Sequence, residues 1–309
     1  MLFSDLQNNK RVAISAKSGS ANMLSDIDGG TLEMNSTGCA GKGLSCDADC
    51  NINGGDISIT TTGGIFAYVN GTEYTDYTGN TDKIASDYKS SPKGIKADGC
   101  VNINGGTINV NVSKSEGIES KSVLTVNDGK ITVNAYDDAI NSSSHMYING
   151  GEITVVATNN DGLDANGNIY ISGGTTMAFG GKSPECGIDA NSEGGYSVYF
   201  TGGTLLAAGG GNSLPSSSSS ASTQPYISTS VSLSAGSTVT LSNGSTTLAT
   251  FVVPENYSGG QSSSGPGGRP NAPGGMGGGS SLAITCPGLI SGSSYTLKYG
   301  SSSTNVTAR

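Results

Sequence analysis

Tryptophan is absent from this chain of 309 residues, histidine occurs once, and arginine occurs only at Arg11, Arg269 and Arg309. Apolar residues make up 34% of it, too few for a thick core wrapped in helices. It has no run of 18 apolar residues, so no segment reads as a membrane-spanning helix. Positive charge is scarce: 15 Lys and Arg stand against 24 Asp and Glu, a net charge of −9. With no basic stripe to displace counterions, nucleic acid is a poor partner and cations are better ones. The opening "MLFSDLQNNK" carries no hydrophobic signal segment. The Ser/Thr/Asn-rich composition fits an extracellular or cell-surface location, so we expect the export signal to lie outside this sequence.

Glycine is abundant, at 49 residues, and apolar residues alternate with polar ones over stretches of four to eight. That is the pattern of many short strands joined by tight turns. Turn pairs recur at Gly29-Gly30, Gly54-Gly55, Gly105-Gly106, Asp128-Gly129, Gly150-Gly151, Gly173-Gly174 and Gly202-Gly203. Most intervals are 22 to 25 residues; an insert at 65–90 lengthens one and a longer turn lengthens another. A period of this size marks a solenoid. Aligned copies give apolar columns, one of Ile52, Ile103, Val126, Ile148, Ile171 and Phe200, another of Ile57, Ile108, Ile131, Ile153, Thr176 and Leu205. No copy can bury its apolar side alone. Stacking at roughly 4.8 Å per copy pairs every strand with its neighbour. No copy has a helical segment, so the all-β class and a parallel β-helix are expected.

We expect the repeats to occupy residues 1–211, with the Tyr-rich insert at 65–90 leaving as a loop. Residues 212–309 read as hairpin strands around a Gly/Ser/Pro-rich stretch at 258–281, and are expected to cap the C-terminal end. The six cysteines, at 39, 46, 50, 100, 186 and 286, match no zinc spacing. Up to three disulfides or a set of stacked thiols both fit.

The same alignment stacks acids. Glu116, Asp138 and Asp161 precede the Gly or Ala of one motif, with Glu185 beside Cys186 in the last copy. Two residues after that Gly or Ala come Glu119, Asn141, Asp164 and Asp189, with Asp137 and Asn160 alongside. Alternation turns these outward. Carboxylates ~4.8 Å apart repel by roughly 1 kcal/mol per pair in water, and by more near protein. A hard divalent cation would offset this, and Ca2+ accepts six to eight oxygens at flexible geometry. Asp138, Asp161, Asp164 and Asp189 are the leading ligands; Lys93 and Lys96 lie one copy from Glu116 and Glu119 and compete for them.

At "SPKGIKADGCVNINGGTINV", "EGIESKSVLTVNDGKITV", "DDAINSSSHMYINGGEITV" and "NDGLDANGNIYISGG" the sequence resembles a bacterial family of carbohydrate-binding domain-containing proteins. A clostridial member of that family is a parallel β-helix that binds cellulose and pectin. The likeness runs from about Ala21 to Pro215 and loosely on to "CPGLISGSSYTLKYG"; residues 1–20 match nothing. It implies a right-handed β-helix related to pectate lyases, bound calcium, and binding of plant cell-wall polysaccharide at the bacterial surface.

Three function classes follow. A binder of pectate (polygalacturonate) or cellulose needs a groove, polar groups and aromatic faces. Tyr68, Tyr74, Tyr77 and Tyr88 of the insert, and Tyr147 and Tyr170 at equivalent positions of successive copies, are the candidates. A lyase or a polygalacturonase-like hydrolase acting on uronates needs a base or paired carboxylates. Arg11, Arg269 and Arg309 all lie outside the aligned copies, and the single histidine, His145, reads as a turn or surface residue. A structural surface or matrix protein would stack end to end and self-associate without sugar.

Overall fold

The computed structural model describes the backbone of residues 14–17, 24–216, 220–258 and 280–309, with side chains from residue 26 onward. The expected Gly/Ser/Pro-rich loop therefore lies outside the described residues over 259–279. The fold is all-β. Among the described residues the single helical element is a 3-10 turn at Ser86–Tyr88, and no helix is long and apolar enough to cross a membrane.

Each repeat gives one strand to each of three parallel sheets, always in the same order. Residues Ile140–Ser142, Met146–Ile148 and Glu152–Ala157 make one such round, and Leu163–Ala165, Ile169–Ile171 and Thr175–Phe179 make the next. The first sheet runs from Lys42–Cys46 to Ile188–Ala190, and the second reaches Val198–Phe200. The third runs from Thr31–Ser36 to Thr204–Gly209. Strand pairing reproduces the register expected from the turn pairs: Ile103 aligns with Val126, Ile148 with Ile171, and Ile131 with Ile153. These columns are buried between the sheets in one continuous core. Each buried aliphatic side chain contributes on the order of 1.5–3 kcal/mol.

The turn glycines have separate causes. The second residue of each pair takes a left-handed φ, from 70° at Gly174 to 118° at Gly129, which glycine adopts without steric cost. Gly94 is different: a β-carbon built there would overlap the Val110 side chain and the Gly117 carbonyl. The first and third sheets meet too closely at this corner for a side chain. Asparagine at the same turns also has a cause. Asn53 donates to Asp28, Asn104 to Asn53, Asn127 to Asn104 and Asn149 to Asn127, at 2.8–2.9 Å. Ser172 then donates to Asn149 at 2.8 Å.

The insert is more ordered than a loop. Phe66–Val69, Thr72–Tyr74 and Lys89–Ser90 form a small antiparallel sheet. At the C-terminal end, Ser280–Thr285 pairs antiparallel with Thr204–Gly209, and Tyr226–Val231 pairs antiparallel with Ser280–Thr285. These two strands occupy the last edge of the third sheet. The remaining strands, Thr238–Asn243, Thr246–Val252, Ser294–Tyr299 and Ser302–Thr307, form a separate four-stranded sheet. It shares a second core with Val156, Phe179, Leu206 and Ala208 of the third sheet. The tail thus covers a side of the repeats as well as an edge. None of the six cysteines is in a disulfide; Cys46 and Cys50 occupy the columns held by Ala97 and Val101 in the next repeat.

Candidate functional site

Two of the acids before the Gly or Ala, Asp138 and Asp161, have a structural task. Asp138 Oδ1 accepts the backbone N–H of Asp161, its counterpart one repeat on, at 3.0 Å. Asp161 Oδ1 in turn accepts the N–H of Cys186. These two carboxylates each latch one repeat to the next, and both aspartates are buried, at 6% and 7% exposure.

The second acidic column lies in register along the first sheet: Lys96, Glu119, Asn141, Asp164 and Asp189. It divides into two halves. In the first, Lys93 pairs with Glu116 and, at 3.3 Å, with Glu119, while Lys121 meets Glu119 at 2.5 Å. Lys96 turns instead to Asp98. In the second half no described ion pair reaches Asp137, Asp138, Asp161, Asp164, Glu185 or Asp189. Amides and hydroxyls serve them: Asn141 donates to Asp138 and Asp164 at 3.0 and 2.7 Å, and Asn160 to Asp137 at 2.8 Å. Ser213 donates to Asp189 at 2.6 Å.

The electrostatics follow the same division. Burial and then repulsion from Asp164 and Asp137 push Asp138 up to about 8. Burial raises Asp161 to about 7, with repulsion from Asp189 and Asp164 added, against the bond from Cys186. Burial, then Asp189 and Asp137, raise Asp164 to about 7. Asp137 and Glu185 also rise, each by burial first and like charge second. For Glu116 burial acts the same way, but Lys93 and Ser115 outweigh it and the carboxyl falls below its ordinary value. One ligand oxygen from each of Asp161, Asp164 and Asp189 lies within 4.8 Å of the others. Three carboxylates so close, with no protein cation among them, form an all-oxygen donor set for a hard divalent ion. Glu116 and Glu119 are committed to lysines and stand outside it.

The aromatic candidates fall into two groups. Tyr147, Tyr170 and Tyr199 are in register on the second sheet and stack, with centroids 4.9 and 5.0 Å apart and planes within 13°. Their faces cover one another, so they offer ring edges and hydroxyls. His145 meets Tyr147, Tyr170 and Tyr196 edge to face, and its Nδ1 accepts the N–H of Asn168 at 2.9 Å. It is part of this cluster, beyond a turn residue. Tyr199, Tyr196 and His145 were missed as members, although Tyr199 stands next to Phe200 in an aligned column. In the insert, Tyr68, Tyr74 and Tyr88 are exposed, and Tyr77 is half-buried with its ring at an angle to Tyr74.

Repeated strands, a largely half-buried oxygen cluster at the first sheet and exposed tyrosines on an insert are what the described residues offer a ligand. A family model described as "Carbohydrate-binding domain-containing protein" matches residues 26–115 and 106–252, well over half of the chain. The chain belongs to that family, and carbohydrate binding is the general function this membership supports. No curated protein and no solved structure matches it significantly.

Proposed function

We propose that the chain is a right-handed parallel β-helix that binds plant cell-wall polysaccharide at the bacterial surface, without catalysis and with calcium. Pectate is the first ligand expected and cellulose the second. The observation that carries this reading is the triad of Asp161, which is buried, and Asp164 and Asp189, which are half-buried, whose ligand oxygens lie within 4.8 Å of one another. Asp137, Asp138, Asn141, Asn160 and Glu185 border it and can supply further oxygens, the asparagines by turning their amides. Calcium held there reverses the local sign, so that a uronate carboxylate becomes a further ligand instead of a repelled anion. The exposed rings of Tyr68, Tyr74 and Tyr88 supply apolar faces for sugar C–H groups.

Affinity electrophoresis through polygalacturonate, with calcium and with chelator, tests this. Retention with calcium and its loss in chelator are expected. Asp161→Ala should reduce both retention and its calcium dependence. Retention indifferent to chelator and to Asp161→Ala would remove calcium from the binding mechanism, and no retention under either condition would remove pectate as the ligand.

A further inference from the structure

Two half-buried lysines, Lys42 and Lys89, stand outside every described ion pair; Lys89 turns to the Thr81 carbonyl at 2.8 Å, and Lys42 faces the insert. Lys42 opens the first strand of the first sheet, in register with Lys93 on the next strand. Its Nζ donates to the Ala40 carbonyl at 3.2 Å and to Ser90 Oγ at 3.1 Å, both uncharged. The neighbouring lysines give their charge elsewhere, Lys93 to Glu116 and Glu119, Lys96 to Asp98. Burial, and then repulsion from Lys96 and Lys93, hold the Lys42 ammonium below its ordinary value, against a weaker pull from Glu119 and Asp98. An ammonium has three donors and here spends two on neutral oxygens, so one N–H and most of the charge are left over.

What stands beside it is aromatic. Ser90 is the last residue of the insert sheet, pairing with Phe66, while Lys89 pairs with Ala67. The residues next outward are Tyr88, at the end of the 3-10 turn, and Tyr68, exposed at 54% and 42%. Their rings are 5.8 Å apart and tilted by 31°, so neither covers the other as the stacked tyrosines do. A cation beside open aromatic faces suits an acidic sugar, whose ring has an apolar C–H face and a carboxylate at its edge.

We propose that Lys42, Ser90, Tyr68 and Tyr88 form a calcium-independent subsite for one uronate residue, the carboxylate on the ammonium and the sugar face on tyrosine. The proposal rests on the reading of the ligand as an acidic polysaccharide. Four strand spacings separate the Lys42 strand from the Asp164 strand, roughly 19 Å at ~4.8 Å each. A polymer of several sugars laid across the strands of this one sheet would engage both ends. Each end then raises the effective concentration at the other.

The test uses the full chain in chelator, titrated with trigalacturonate and with cellotriose, and followed by the NMR shifts of the tyrosine rings. Trigalacturonate should move the Tyr68 and Tyr88 signals. Lys42→Gln should weaken that binding roughly tenfold, as loss of a charged hydrogen bond does. Lys42→Arg should retain most of it, and neither variant should alter cellotriose shifts. A wild-type chain with no response to trigalacturonate in chelator overturns the subsite. So does an equal effect of Lys42→Gln on both sugars, or unchanged trigalacturonate affinity. The broader reading fails by a different result, absence of calcium-supported retention on polygalacturonate by the wild-type chain.

Discussion

Asp164→Asn is the most informative single substitution. In the calcium-free chain, burial and the charges of Asp189 and Asp137 raise Asp164 to about 7 from an ordinary 3.8. Three units correspond to about 4 kcal/mol between the two protonation states. The folded pKa lies above the unfolded one, so folding favours the protonated acid. Stability from this group is full below about pH 4 and is lost as pH rises through about 7. Asp138 and Asp161 shift in the same direction, to about 8 and about 7. Glu116, which is lowered, works the other way and loses its contribution as pH falls below the ordinary carboxylate range. The chelated wild-type chain should therefore melt lower at pH 8 than at pH 5. Asparagine keeps the shape and can still accept the 2.7 Å bond from Asn141. It should raise the melting temperature in chelator at pH 8 by on the order of 5 °C, since 1 kcal/mol moves a large domain by about 2 °C. In calcium the gap between the two should narrow. Filling a site to 100 times its dissociation constant adds about 2.7 kcal/mol to the wild type, and the variant should gain little of that. Differential scanning calorimetry at both pH values reads all four states. A wild-type melting temperature that is flat from pH 5 to pH 8 in chelator, together with a variant that melts lower there, would refute the electrostatic reasoning.

Asn104→Ala removes one donor and one acceptor from the amide ladder and should cost about 1–3 kcal/mol, read by urea unfolding. Gly94→Ala places a methyl group against Val110 and the Gly117 carbonyl, and should destabilise by about 1–3 kcal/mol in the same assay. Incubation with polygalacturonate and calcium should release neither unsaturated product absorbing in the ultraviolet nor new reducing ends. Either signal, growing with protein concentration, would place a base or an acid pair in the repeats after all.

The strand register was legible because identical needs recur in every repeat: an apolar residue for each column, a positive φ at each turn, an amide to join the next. The acids were legible as columns for the same reason. Their burial was not, because alternation says which way a side chain faces and not how deep it lies. The partition between Glu116 and Asp138 turned on Lys93, whose reach across one strand was foreseen, and on Lys96, which chose Asp98 instead. The second core left a trace that alternation alone obscures. "EITVVA", "TTMAF" and "TLLAAG" turn from alternating to continuously apolar in the last three repeats, where Val156, Phe179 and Leu206 face the four-stranded sheet. The column placed Lys42 one strand from Lys93 but could not show that, among the described residues, no carboxylate reaches it.

The asparagine ladder also bears on how the protein ages. Asn53, Asn104 and Asn149 each precede a glycine, the sequence in which a backbone nitrogen most readily attacks the side-chain amide and expels ammonia. In the ladder each of those amides donates its N–H to the repeat before it, and Asn53 and Asn104 accept from asparagine one repeat on, which holds the carbonyl carbon away from the attacking nitrogen. One conversion of Asn104 to aspartate would set two acceptors against each other where a 2.8 Å hydrogen bond had been. The adjoining amide would then be freer to react in its turn. Chemical decay in this protein should accordingly spread outward from the first damaged rung, so that its working life depends on how long every rung stays intact.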